Sequence, residues 1–486
     1  MNNSPLYLAI DQGGHASRAL VFDDTGAMLC EAFTPIDTIT PQPNWVEHDP
    51  KAMLDSIRSA TADALQKLAP EQRQNIKAAG LATQRSSIMC WDRITGKALS
   101  PIISWQDTRN ATWLDQFRDQ QTDIHQRTGL MLSAHYGVSK MRWCLDHLSA
   151  VQQAKQQQRL IMGPMASYVI FQLTRSAQLV ADPANASRTL LWNLVQQDWD
   201  EHLLTLFNIP LQCLPPCVSS DDNFGVLDIP ELDIPLRLVT GDQSAALFGQ
   251  GQPSTDSLYI NMGTGVFMQR PGTGPTPSSN LLNSVAVTQN SHTDYTLEAT
   301  INGGARALHW FAEQHGISNI EQALDTWLTE EQTPTRFINS VSGLASPYWR
   351  TDIAPHFIDP GTTQQQAIAV AESVLFLIKV NVDAMNELMP APRRIIVSGG
   401  LALSARLCQK LADLLQTTIT RNQQAEATAC GLAFLLAHRP TNWSINQGES
   451  FEPDHNNQLI SRYFEWKTKL EQVLTENKEA VTFCST

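Results

Sequence analysis

The chain opens with three short apolar runs separated by turn residues. Leu6 to Ile10 ends at Asp11 and is broken by Gly13-Gly14. Ala19 to Phe22 is closed by Asp24-Thr25-Gly26, and Met28 to Phe33 precedes a Pro-rich stretch. Runs of this length bounded by Gly and Asp predict strand, turn, strand, turn, strand. Asp49-Pro50 then supplies an N-cap followed by proline at the first helical position. Met53, Leu54, Ile57, Ala64, Leu65 and Leu68 keep to one face of the helix that follows. Ile76 to Thr83 and Ser87 to Trp91 read as further strands, divided by Gln84-Arg85-Ser86.

Near residue 257 the opening pattern returns in weaker form: Leu258 to Met262, the turn Gly263-Thr264-Gly265, then Val266 to Gln269. A long helix is predicted from about Gln365 to Leu388, with Ala371, Val374, Leu375, Ile378 and Val382 on one face. Arg394 to Ser398 is a strand ending in Gly399-Gly400, and Leu407, Leu411, Leu414 and Leu415 share a face of the next helix. Two halves, residues 1–247 and 248–486, therefore begin alike and continue with alternating strands and helices, which predicts an α/β architecture.

Composition narrows the partners. The 486 residues are 42% apolar and 17% charged, so a large core can be buried, and length suggests two or three domains. Lys plus Arg total 34 against 48 Asp plus Glu, a net charge of −14. That balance argues against nucleic acid or an anionic membrane surface as partner. No apolar run reaches the length of a membrane span, and the N-terminus lacks the basic and apolar regions of a signal peptide. Eight scattered cysteines, with only Cys213 and Cys217 close together, read as reduced thiols of a cytoplasmic protein.

Three glycine turns stand at strand ends: Asp11-Gln12-Gly13-Gly14, Gly263-Thr264-Gly265 and Gly399-Gly400. Successive N–H groups in such turns form anion-binding concavities. Taken singly, each is commonly an ordinary tight turn; three in repeated halves suggest one phosphate chain. Neither a P-loop nor a G-x-G-x-x-G motif is present. Asp11, at the end of the first strand, suits a carboxylate holding Mg2+ through water, or an Asx-turn acceptor. Asp242 follows the strand Leu236 to Thr240 and precedes a helix, where an aspartate is commonly the N-cap and less often a catalytic carboxylate.

The segment from Gly241 to Gln250, Gly-Asp-Gln-Ser-Ala-Ala-Leu-Phe-Gly-Gln, resembles the catalytic segment of the FGGY carbohydrate kinases, their glycerol kinase branch in particular. Trp45-Val46-Glu47-His48-Asp49-Pro50, Asn185-Ala186-Ser187-Arg188-Thr189, Pro347-Tyr348-Trp349 and Glu426-Ala427-Thr428-Ala429-Cys430-Gly431 follow in the family's order. The resemblance spans about residues 6 to 475 and implies two actin-like, hexokinase-like (ribonuclease H-like) domains with the active site between them. It implies transfer of the ATP γ-phosphoryl group to a polyol or sugar hydroxyl. The first half would carry acceptor binding and the catalytic base, and the second the nucleotide. By position, Asp242 would be that base and Asp11 would hold Mg2+. Gly13, Gly14, His15, Arg18, Gly263, Thr264 and Gly265 would flank the phosphates. Gly399, Gly400, Leu401 and Ser404 would lie against the adenosine. Arg85, Ser86, Trp105, His135, Asp242, Gln243 and Phe267 would meet the acceptor. A homo-oligomer, dimer or tetramer, is implied on the same ground.

The chain also departs from that pattern. The family turn Asp-Gln-Gly-Thr-Thr-Ser-Ser-Arg reads Asp11-Gln12-Gly13-Gly14-His15-Ala16-Ser17-Arg18 here, without three of the hydroxyls. Each hydrogen bond lost to a charged group costs roughly 1.5–3 kcal/mol. Ser86 stands where the family has Glu, and His135 where glycerol kinases have Tyr. These changes predict an acceptor other than plain glycerol, a larger polyol or a ketose. Two other readings stay open at this stage. One is a catalytically weak relative that binds sugar or nucleotide as a regulatory protein; the other is an actin-like ATPase without a small-molecule acceptor.

Overall fold

A computed structural model describes residues 4–329, 333–422, 426–444 and 448–483. β1 (Leu6–Gln12) and β2 (Ala16–Asp23) form an antiparallel hairpin around Gly13-Gly14 that sets Asp11 opposite Arg18. β3 (Met28–Pro35) pairs antiparallel with β2 on the outer side. β4 (Ile76–Thr83) and β5 (Leu236–Gly241) add in parallel on the other, giving the order β5-β4-β1-β2-β3. β1 is buried along its whole length, as a strand covered on both faces must be, so its sequence is apolar until Asp11. α1 (Pro50–Gln66) starts where Asp49 accepts the Ala52 N–H at 2.7 Å, and buries Met53, Leu54 and Ile57 against the sheet.

The second half builds a seven-stranded sheet. Its strands are β6 (Ser257–Met262), β7 (Val266–Gly272), β8 (Leu282–Gln289), β9 (His292–Ile301), β10 (Arg394–Ser398), β11 (Ile419–Arg421) and β12 (Glu449–Phe451). The order is β8-β9-β7-β6-β10-β11-β12. Its middle five strands repeat the first sheet: β6 is antiparallel to β7 and parallel to β10, as β1 is to β2 and β4. The weak sequence repeat is thus a repeat of topology. In both halves a glycine turn caps the hairpin made by the first two strands.

Five helices matter for the site: α2 (Asp242–Ala246), α3 (Ala305–His315), α4 (Thr363–Leu388), α5 (Ala405–Leu415) and α6 (Ala427–Leu436). α4 runs through the second core, almost wholly buried from Ala367 to Ile378. α6 comes late in the chain yet returns to the first sheet, where Leu432, Ala433 and Leu436 pack with Tyr7, Ala9, Phe22 and Leu238 in one cluster. Residues from both sides of position 247 therefore share a core. α6 also lies directly on α2, because a Cβ on Gly431 would come within 1.9 Å of the Ala245 carbonyl oxygen.

A buried charge cluster joins the halves a second time. Arg85, in the loop after β4, donates from Nη1 to Glu298 Oε1 on β9 at 3.2 Å, and Arg188 donates from Nη2 to Oε2 at 2.6 Å. Gln269 Nε2 and Thr296 Oγ1 complete the Oε1 shell at 3.1 and 3.2 Å. Glu298 is 3% exposed, and the two guanidinium groups outweigh its burial and hold its carboxyl at about 2.

Glu298→Gln leaves two buried guanidinium groups without the carboxylate they are bonded to and is expected to cost about 3–5 kcal/mol in urea unfolding at pH 7. Because the folded value lies below the unfolded one, this stabilisation is complete above roughly pH 4.3 and disappears as pH falls through about 2. The difference between wild type and variant therefore narrows in acid. Gly431→Val overpacks the α2–α6 contact and is expected to lower stability by at least about 1–3 kcal/mol in the same assay.

Candidate active site

β5 ends at Gly241, whose extended backbone is the N-cap of α2. Asp242 is therefore the first helical residue and not the cap, the commoner role for aspartate at such a place. Its Oδ1 accepts the Gln243 N–H at 2.7 Å. A Cβ on Gly241 would come within 2.5 Å of Arg85 Cγ and Cδ, so glycine here lets the arginine stem cross beside Asp242. Asp242 is half-buried, and desolvation raises its carboxyl above the ordinary range, opposed by Arg85, the Gln243 N–H and Arg188. On the far side, Thr428 of α6 donates its hydroxyl to the Asp242 carbonyl at 3.4 Å.

The residues expected at the acceptor gather around the charge cluster. Ser87 Oγ accepts the Trp105 N–H at 3.0 Å and donates to Gln84 at 2.9 Å, which fixes the half-buried indole beside the Arg85 loop. His135 lies 5.4 Å from Trp105 and 5.1 Å from Tyr136, ring centre to ring centre. Burial and the positive charges of Lys140, Arg188 and Arg85 push the His135 imidazole well below its usual value, so it is neutral. Lys140 Nζ donates to the carbonyls of Ala134, His135 and Tyr136 and so fixes that segment. Gln243 and Phe267 are half-buried, Phe267 opposite Thr300 in the β7–β9 ladder. Ser86 differs from the expectation. It sits in the left-handed region at φ 65°, its hydroxyl buried and without a partner, so it presents no accessible group to a ligand.

The glycine turns leave amide groups free. Gly13 N–H bonds to the Ala16 carbonyl at 3.0 Å, but the N–H groups of Gly14 and His15 have no partner among the described residues. A Cβ at Gly14 or at Gly400 would meet nothing within 4 Å, so both turns face open space. His15 is exposed. Arg18 pairs through Nε with Glu426 at 3.6 Å, linking the first turn to the start of α6. The other two turns are neighbours: Gly399 has φ 90°, and a Cβ there would strike Asn261 and the Met262 carbonyl within 2.7 Å. At Gly399-Gly400 the backbone is what the site can use, because Leu401 is buried in the core. The Ser404 hydroxyl caps α5 at Leu407 N–H and donates to Asp325 at 2.5 Å.

Asp11 is 8% exposed, and its carboxyl is pushed up to about 7 by burial and then by the charges of Asp242 and Glu426, against Arg18. A buried carboxylate whose ionisation is disfavoured by neighbouring carboxylates fits a divalent cation. Among the described residues no three His, Cys, Asp or Glu side chains form a ligand group. Mg2+ is commonly held by one or two carboxylates with waters and substrate phosphates, so the fit is to Asp11 in that manner.

Several residues of the site carried no assignment from sequence. Glu298 is the charged position of Tyr295-Thr-Leu-Glu298-Ala-Thr, a glutamate in a six-residue stretch that is otherwise apolar or hydroxyl-bearing, and that contrast is the signal that marks it. Arg188 lay within a recognised motif without a role. Lys140, in an amphipathic helix, gave none. Among the described residues no helix is long and apolar enough to cross a membrane.

Comparison with known proteins agrees with this geometry. The profile of the FGGY family of carbohydrate kinases matches in both parts, its N-terminal domain over residues 6–249 and its C-terminal domain over 258–439. A glycerol kinase of Allorhizobium ampelinum is 33% identical over 454 residues, covering 90% of each chain. A glycerol kinase of Parabacteroides distasonis is 32% identical over 446 residues, covering 88% of each. In fold, the chain superposes on Plasmodium falciparum glycerol kinase with ADP at a TM-score of 0.88 and 24% identity, covering 97% of this chain and 98% of that one. The xylulose kinase of Rhodospirillum rubrum gives 0.86 at 17% identity, with 96% and 99% covered. With two matching family domains, a repeated glycine-turn topology and an aspartate at the junction of β5 and α2, the chain belongs to the FGGY family of carbohydrate kinases.

Proposed function

We propose that this kinase transfers the γ-phosphoryl group of ATP to a hydroxyl of a small polyol or ketose larger than glycerol, with Asp242 as general base. The observation that carries the reading is Asp242 at the mouth of β5, with a raised proton affinity, beside Arg85 and with its charge felt at Asp11. The relatives named glycerol kinase support the polyol or sugar class.

The acceptor hydroxyl gives its proton to the Asp242 carboxylate as its oxygen closes on the γ-phosphorus, while the bond from that phosphorus to the β,γ-bridging oxygen breaks and ADP leaves. A base whose pKa is raised toward neutrality holds that proton better than an ordinary aspartate, and such help is worth on the order of 10²–10⁴-fold. Trp105 and Phe267 bear on the carbon skeleton, while Arg85, Gln243 and the neutral His135 ring offer donors and an acceptor for its hydroxyls. The free N–H groups of Gly14 and His15, with Arg18, take the phosphate oxygens. Asp11 would hold Mg2+, which would supply charge neutralisation on those oxygens. Ser86 in the family's Glu position removes one carboxylate acceptor for a triol, and this supports an acceptor other than glycerol. No observation favours a purely regulatory role. The same reading carries a cytoplasmic setting and an even-numbered homo-oligomer, the latter read by light scattering.

With Mg-ATP and a panel of glycerol, four- to six-carbon polyols and ketoses, ADP release is expected to depend on a longer acceptor and to be slow with glycerol. Glycerol as the best acceptor would contradict the specificity, and no turnover with any acceptor would contradict the reaction. Asp242→Asn is expected to lower turnover on the order of 10²–10⁴-fold while calorimetric affinity for ADP is unchanged.

A further inference from the structure

A cavity of about 480 Å3 opens beside the second glycine turn, with Thr264, Arg306, His309, Trp310, Glu313 and Ser342 in its lining. Arg306, His309, Trp310 and Glu313 are spaced i, i+3, i+4 and i+7, so one face of α3 forms one wall. That helix is docked on the turn itself. Ala305 N–H donates to the Gly263 carbonyl at 2.9 Å and Arg306 N–H to the Thr264 carbonyl at 3.1 Å. A Cβ on Gly304 would strike Gly263 O at 2.7 Å and Thr264 O at 2.9 Å, so no bulkier residue could bring the helix this close. The turn's carbonyls are thereby occupied by the helix, and the amides of Thr264 and Gly265 have no partner among the described residues.

Among the lining residues Arg306 is the one arginine or lysine. His309 Nε2 bonds to Glu321 at 2.8 Å. Trp310 stacks on Phe337 at 5.5 Å. Glu313 lies seven residues beyond Arg306, roughly 10 Å along the helix axis. Arg306 is exposed, and its guanidinium makes no hydrogen bond or ion pair among the described residues. Elsewhere, Ser17 Oγ is buried against Ser56 at 2.8 Å and gives the first turn no free hydroxyl, and Arg18 shares its Nε with Glu426 at 3.6 Å.

We infer that Arg306 is a phosphate-binding residue of the nucleotide site, gripping the phosphate chain together with Thr264 and the free amides of its turn. The inference rests on the kinase reading above. An exposed guanidinium on the helix that seats the turn supplies the charge-assisted contacts that the hydroxyl-poor first turn does not.

Calorimetry with ADP and with adenosine separates this from the parent reading. Arg306→Ala is expected to weaken ADP at least about tenfold, the scale of one hydrogen bond to a charged group, and to leave adenosine unchanged. Arg306→Lys should recover part of the loss. The variant's thermal unfolding should match wild type, since the side chain is exposed. Unchanged ADP affinity in Arg306→Ala would overturn the assignment while the kinase reading stands, and equal weakening of ADP and adenosine would overturn a phosphate role. A wild type that binds neither ADP nor adenosine would overturn the kinase reading and the assignment with it.

Discussion

Two guanidinium groups buried beside one carboxylate set the terms for the rest of the molecule. Glu298 comes from the second sheet, while Arg85 and Arg188 come from the first half, so the charge balance of the interior closes only when the halves meet. Such clusters are a poor source of net stability but a strong constraint on geometry, because removing one member strands the others. Arg85 must stay where Glu298 holds it. Its stem then crosses Gly241, which fixes where Asp242 can stand. The proton affinity of Asp242 follows from that position: desolvation raises it, and the same two arginines restrain the rise.

The phosphate end uses a different device. A chain with net charge −14 cannot attract a polyanion by its overall field. It can still bind one locally, through amides that the turn geometry leaves unpaired and through a few placed cations. Gly14 and Gly400 face open space, whereas Gly399 and Gly304 are pinned by neighbouring backbone. The glycines therefore divide into those that admit a ligand and those that let the protein close on itself.

Much of this was legible in the sequence, and the reasons are physical. Period and punctuation locate β1, β4 and α1, because buried parallel strands and a capped helix leave strong local patterns. The repeat of strand, turn and strand is visible because glycines stand at the turn of both hairpins. The charge cluster was not legible: Arg85, Arg188 and Glu298 are far apart in the chain, and pairing over such distances leaves no spacing to read. Leu401 and Ser404 are read as adenosine contacts by position alone; that the Leu401 side chain joins the core and the Ser404 hydroxyl caps a helix are tertiary facts. Ser86 marked a real change in the pocket, yet its left-handed backbone and sealed hydroxyl are tertiary facts.

The account stands on Asp242 being a base whose proton affinity Arg85 controls. The pH dependence of kcat/KM, measured with the preferred acceptor in wild type and in Arg85→Gln, tests this most directly. The rate is predicted to fall on the acid side through a pKa above the ordinary aspartate range, since only the ionised carboxylate can take the proton. In Arg85→Gln that limb moves to higher pH, because a cation that favoured the ionised form is gone. An acid limb at the ordinary aspartate value of about 3.9, or one that does not move in the variant, would contradict the account.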